Sequence, residues 1–428
     1  MRAGIARRRI TWRSPLKSAC PALLPAPAVL QQSLHRVTER FAAELGCPRE
    51  DPPAWSEFDW TVARAVIAIH GIASLLCRSL RWQGPVEFNR FLNSQHTHTT
   101  RRHARIGELL RRMDGGAKQA GIAAVALKGV ALYELGLYES GDRPMADIDL
   151  LVRPADSGAL AALLESMGYR LSSAGWREKV FVPAGAREPA GIGEHADNSV
   201  KVEIHEHIGE RLACELTDIS ARIFPDLAHP GLNPYPSKGV LMLHLLLHAA
   251  GSMSRQGLRL VQLHDIALLS KLMAPSDWTD MLAGGVHPRS LWWAFPPLHL
   301  VARYYGAQIP DEVSCRTAAQ CPAWLRRRAR DNTLYAVSHS YPWIDAFPAM
   351  IWSRSLREAA RYALNRLWPS SQLRAARERE LSTELRARQD DWSHRSQGRR
   401  VLRWLVSRPT RQATLQVVAA AGASTGVP

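Results

Sequence analysis

Asp147 and Asp149 lie one residue apart in the run Asp147-Ile148-Asp149-Leu150-Leu151-Val152. The run alternates at first and then turns wholly apolar, as a buried strand does. Side chains at i and i+2 point to the same side of a strand. Both carboxylates therefore project from one face, where like charges repel and one titrates high unless a cation sits between them. A divalent metal is the simplest relief. Oxygen-only ligands suit Mg²⁺, which takes one or two carboxylates together with substrate phosphates. Most isolated Asp-x-Asp pairs are solvated turn residues; the apolar strand around this one sets it apart.

The elements that must position the pair follow from periodicity and punctuation. Residues 122–127 form a short apolar strand, and 130–138 a helix closed by Gly141. Residues 154–167 form a helix with Gly168 at its C-terminal end. Residues 169–171 and 179–183 are further short strands. Residues 200–208 alternate, with Val202 and Ile204 on one side and Lys201, Glu203, His205 and His207 on the other. Upstream, residues 30–116 are helical; the stretch 100–113 is amphipathic and basic, and Gly115-Gly116 ends or kinks it. After Arg211 the pattern is almost entirely helical. Ser237 caps one helix through Leu241, Leu245 and His248, and a second spans 260–273. Amphipathic stretches follow at 356–367 and 373–388. The expected class is α+β: a small mixed sheet at 119–210, between helical regions at 31–118 and 211–418. A basic tail at 1–30 and a second tail at 419–428 are expected to be disordered.

The order is strand, Lys-Gly, helix, Asp-x-Asp strand, helix, then a strand bearing an acid. It resembles the nucleotidyltransferase superfamily with the DNA polymerase beta-like palm. More closely, it resembles a large family of uncharacterised bacterial nucleotidyltransferases. The likeness rests on Leu127-Lys128-Gly129, Arg143-Pro144, the Asp147 to Val152 run, Gly168-Tyr169 and Val202-Glu203-Ile204-His205. It continues through Leu243-His244-Leu245, His248-Ala249 and Asp265-Ile266-Ala267. The resemblance implies transfer of a nucleoside monophosphate from an NTP such as ATP, with two metal ions, Mg²⁺ or alternatively Mn²⁺, bridging the phosphates. It implies that Asp147 and Asp149 bind the metal, joined by Glu203 at the third position, where the family more often has Asp. Gly129 would open a helix whose first amides face phosphate, and Lys128 would add a charge to the triphosphate. Arg143 would hold a phosphate in a bidentate fork, its alternative role being to brace Asp142 or Glu139. On the strand face of Glu203, His205 or His207 would touch a phosphate, orient a carboxylate or bind the acceptor, unless they are structural.

Composition bounds the rest. The chain has 428 residues, enough for two or three domains, and a formal charge of +16, which favours anionic partners. Only seven of the 55 basic residues are Lys, and Lys128 and Lys201 fall in the segments assigned to the site. The six cysteines are scattered without a C-x-x-C pair, which fits a reducing, cytoplasmic setting. The N-terminus is basic but broken by prolines and makes a poor signal peptide. No apolar run approaches the ~20 residues of a membrane span. His244 and His248 have the i, i+4 spacing of zinc ligands but lack the metalloprotease Glu, so they are assigned to a helical core. The Arg326-Arg327-Arg328 and Arg399-Arg400 clusters are assigned to solvated faces, with RNA a less favoured partner. Three functions compete. They are nucleotidyl transfer to a small molecule, the same transfer to a protein or tRNA in a toxin-like or regulatory role, and a non-catalytic nucleotide-binding protein.

Overall fold

A computed structural model describes residues 24–369 and 397–423, apart from 176, 187–190, 197, 226, 284–290 and 307–308. The N-terminal region is four helices: α1 (Pro27–Gly46), α2 (Glu57–His70), α3 (Ala73–Ser79) and α4 (Val86–Gln119). Ser56 and Asp59 form a reciprocal capping box that starts α2, each side chain accepting from the other's backbone N–H. Gly71, at φ +65°, ends α2 in the left-handed conformation that glycine adopts without penalty. The region 31–118 is helical as expected. However, α4 does not end at Gly115-Gly116; it runs to Gln119. A Cβ on Gly116 would lie 2.6 Å from Leu163 Cδ1, so this glycine serves close helix packing instead.

The middle of the chain follows as β1 (Ala123–Ala126), α5 (Gly129–Glu134), β2 (Asp147–Val152), α6 (Ser157–Ser166), β3 (Tyr169–Ala174), β4 (Glu178–Pro183) and β5 (Lys201–His205). Helix α5 stops earlier than periodicity suggested, because Gly136 at φ +70° reverses the chain before Gly141 is reached. Next come a hairpin of β6 (Gly209–Leu212) and β7 (Glu215–Asp218), a single turn α7 (Ser220–Ile223) and β8 (Gly231–Asn233). These elements correct the expectation of an almost wholly helical chain after Arg211. Strand β8 pairs parallel with β1, and the sheet order is β3-β4-β5-β2-β1-β8. The sheet thus takes a strand from beyond residue 210. Helices α8 (Lys238–Ser254) and α9 (Leu260–Leu272) follow, and Ser237 Oγ caps α8 by accepting from Val240 N at 3.1 Å. Further on, helix Leu356–Leu367 matches its expected bounds. Helix Gln412–Ala423 runs through the first part of the expected 419–428 tail, burying Val418 and Ala421. The stretch 373–388 and residues 1–23 lie outside the described residues. Among those described, no single helix is long and apolar enough to cross a membrane.

The sheet has two unlike faces. Ile148, Leu150, Val152, Val202 and Ile204 pack on Ile106, Leu109 and Met113 of α4 and on Leu160 and Leu164 of α6. The opposite face carries the polar row of β2 and β5 and meets the core built around α8. Arg102, only 3% exposed on α4, ties the two strands together at their start. Its guanidinium donates to the carbonyls of Met145 and Ala146 just before β2, and to those of Asn198 and Ser199 just before β5. Replacing Arg102 with Met should therefore cost roughly 2–4 kcal/mol, since it strands several carbonyl acceptors. Urea denaturation of wild type, Arg102→Met and Arg102→Lys tests this. The lysine variant, which keeps the charge, should fall between the other two.

Candidate functional site

Strands β2 and β5 run parallel in the register Asp147↔Lys201, Asp149↔Glu203 and Leu151↔His205. The two-residue period of a strand places Asp147, Asp149, Glu203 and His205 on one face. His205 Nε2 lies 2.8 Å from Asp149 Oδ1 and 3.9 Å from Glu203 Oε2. Ligand atoms of Asp149, Glu203 and His205 come within 4.8 Å of one another, a grouping able to hold a metal ion. Asp147 stands on the same face, half-buried at the start of β2, outside that group. The donor set is rich in carboxylate oxygen and fits a hard divalent cation. His205 already spends Nε2 on Asp149, so it orients that carboxylate.

Lys128 joins them from the turn between β1 and α5. Its Nζ lies 3.1 Å from Asp149 Oδ1. Its backbone is left-handed, at φ 46° and ψ −109°, a conformation that costs a non-glycine residue about 1–3 kcal/mol. The surroundings hold it there: Lys128 N donates to Tyr235 Oη at 3.3 Å, and that hydroxyl is hydrogen-bonded to His244 Nδ1 at 2.7 Å. Lys128 thus reaches a carboxylate of the pair. Gly129 lets the chain pass close to Arg143 and Met145, since a Cβ there would fall 2.6 Å from Arg143 Nη1 and 2.7 Å from Met145 Sδ and displace them.

Arg143 departs from expectation. Its bidentate fork, anticipated for a phosphate, is taken by Asp265 of α9, with Nε and Nη2 each 2.8 Å from a carboxylate oxygen. Tyr138 Oη donates to the same carboxylate at 2.6 Å. Arg143 does not brace Asp142 or Glu139 either; both pair with Arg78. Its Nη1 is left over Gly129. His207 lies past the end of β5, exposed and 3.7 Å from Asp218, and borders a cleft that Lys128 and His205 also line. His244 is buried in the helical core as expected, and His248 Nδ1 lies 3.7 Å from Glu210. Tyr235, Asp265 and Arg102 were not singled out from sequence for these supporting roles. Each sits far along the chain from the group it holds, and no spacing marks it.

Charge explains the titration of the cluster. Burial and the nearby Asp147 and Asp149 push Glu203 up to about 8. Burial and Asp149 likewise raise Asp147. Burial would raise Asp149 too, but Lys128 and His205 outweigh it and hold this carboxyl well below the usual range. Burial would lower Lys128, yet the charges of Asp149 and Asp147 raise it. The face is thus one carboxylate fixed in its ionised form beside two that resist ionisation.

Against known proteins, a family model described as an uncharacterised nucleotidyltransferase matches residues 56–306, more than half of the chain. Comparison with curated proteins gives no match.

A raised Glu203 fixes the sign of a pH effect. Without metal, the folded state keeps a proton that the unfolded chain releases, so this group's contribution to stability falls as pH rises from its ordinary value toward about 8. Metal ligation needs the ionised form. Affinity for Mn²⁺ should therefore climb by about one log unit per pH unit below about pH 8 and then level off. Titrations of wild type and Glu203→Gln across that range check this; the variant should bind more weakly and with a shallower slope, what remains coming from Asp147.

Proposed function

The chain belongs to the uncharacterised nucleotidyltransferase family, and we propose that it moves a nucleoside monophosphate from an NTP to an acceptor hydroxyl, releasing pyrophosphate. The observation that carries this reading is the register that sets Asp149 beside Glu203, with Asp147 on the same face. Asp147, Asp149 and Glu203 would hold divalent cations, Mg²⁺ or Mn²⁺. Such ions, when bound, neutralise the phosphate oxygens and the developing charge of in-line displacement. Three acids kept together on a half-closed face, at an evident electrostatic cost, favour catalysis over passive binding.

The chain's own groups divide the remaining work. Lys128 and His205 keep Asp149 ionised and oriented, so that its oxygens stay available as ligands. Glu203, ionised once a cation offsets the charge of Asp147 and Asp149, is suited to accept the proton of the acceptor hydroxyl as that oxygen attacks the α-phosphorus. The bond from the α-phosphorus to the bridging oxygen breaks, and the electron pair leaves with pyrophosphate. Arg143 acts mainly as a structural brace between the Lys128-Gly129 turn and α9.

A second reading, transfer to a protein or RNA, draws on the surplus positive charge of +16. A small cleft bounded by Lys128, Arg177, His205, His207, Glu210 and His248 adjoins the carboxylates and offers an acceptor groups of both signs. Incubation with α-labelled NTPs, Mg²⁺ or Mn²⁺, and cell extract split into small-molecule, RNA and protein fractions tests both readings. Label should enter one fraction, and Asp149→Asn should lower the incorporation by at least about 10²-fold. A wild-type protein that labels nothing and shows no metal-dependent NTP binding would sink the enzymatic reading.

A further inference from the structure

Arg259 immediately precedes α9, the helix whose Asp265 grips Arg143. Its Nε is buried and has no hydrogen-bond partner. Arg40, Arg222 and Arg411 share that condition at Nε, but each donates through another guanidinium nitrogen, to Asp51 O, Asp280 and His339 respectively. Among the described residues, Arg259 has neither a hydrogen bond nor an ion pair from any part of its guanidinium. Its Nη2 lies against the bare backbone of Gly71, where a Cβ would approach to 2.2 Å. Nε is closed off from water while the residue as a whole is only half-buried, so its remaining donors are open to a ligand, and an unpartnered buried donor of this kind calls for a missing anion or water.

The direction of this cation is informative. Its charge acts on Asp147, Glu194 and Asp265, and Asp147 feels it in return. None of these acids forms an ion pair with it. Arg143 lies close enough to repel it, and its Asp265 partner is already bound twice by that residue. Two guanidiniums thus stand near Asp147, and of the acids that act on Arg259 only Asp265 is hydrogen-bonded to either of them. We propose that Arg259, assisted by the remaining Nη1 of Arg143, is the anion-binding group that receives the triphosphate beyond the reacting α-phosphorus. The planar fork of a guanidinium suits two oxygens of one phosphate. This assigns to Arg259 the contact that the sequence had led one to expect of Arg143, and it rests on the nucleotidyl-transfer reading.

Inorganic tripolyphosphate is the probe, because it carries the charge without a base. Its binding to the full chain in Mg²⁺ is measured by calorimetry, next to Mn²⁺ binding alone. Arg259→Ala should weaken tripolyphosphate at least about tenfold without weakening Mn²⁺, since no carboxylate ligand is altered and a neighbouring positive charge is lost. Arg259→Lys keeps the charge without the fork; it should lose less, and it serves should the alanine variant fail to fold. Equal tripolyphosphate affinity in wild type and a folded variant overturns the assignment while leaving nucleotidyl transfer intact. So does a wild type that incorporates label from NTPs yet does not bind tripolyphosphate. A wild type that binds neither tripolyphosphate nor any NTP overturns both.

Discussion

Three carboxylates on one face of a sheet repel one another, and the surrounding structure is arranged to contain that repulsion. The parallel register of β2 and β5 creates the problem by setting Asp149 beside Glu203 and leaving Asp147 two residues away. Lys128 and His205 answer it at a single atom, Asp149 Oδ1, which both approach at about hydrogen-bonding distance. They relieve one member and leave the other two with raised proton affinities. A site so divided holds one permanent anion and two that ionise in exchange for a cation.

That arrangement is only as firm as its supports, and these come from outside the sheet. Arg102 fixes the starts of both acid-bearing strands through four carbonyls. Tyr235 and His244 sustain the left-handed backbone that aims Lys128. Asp265 holds Arg143 against the Gly129 turn. Each support is itself buried or half-buried, where hydrogen bonds are hard to exchange for water and geometry is correspondingly stiff.

The acid-bearing strands were legible because their signals are local. Alternation in β2 and β5 places the acids on a common side, and β2 keeps its expected bounds. Gly168 marks the end of the helix before β3 as its conformation requires. What escaped depends on partners far along the chain. Strand β8 is three residues of Gly-Leu-Asn with no apolar alternation, and it exists because β1 offers it an edge. Gly115-Gly116 looked like a helix stop, yet packing against Leu163 overrides the local preference. Arg143 carries the chemistry of a phosphate fork, but only the fold brings Asp265, 122 residues later, to fill it.

The same dependence argues about what the working unit is. The sheet segment alone, closed at residue 210, would lack β8, Tyr235, His244 and Asp265. Lys128 would lose the hydroxyl that accepts from its strained amide, and Arg143 would lose its counter-charge. An unpaired guanidinium would then press on the Gly129 turn, the element that carries Lys128 to Asp149. The family match extends to residue 306, across α8 and α9, in keeping with this requirement. Helices that read as a separate C-terminal region are, in electrostatic terms, the far wall of the carboxylate site.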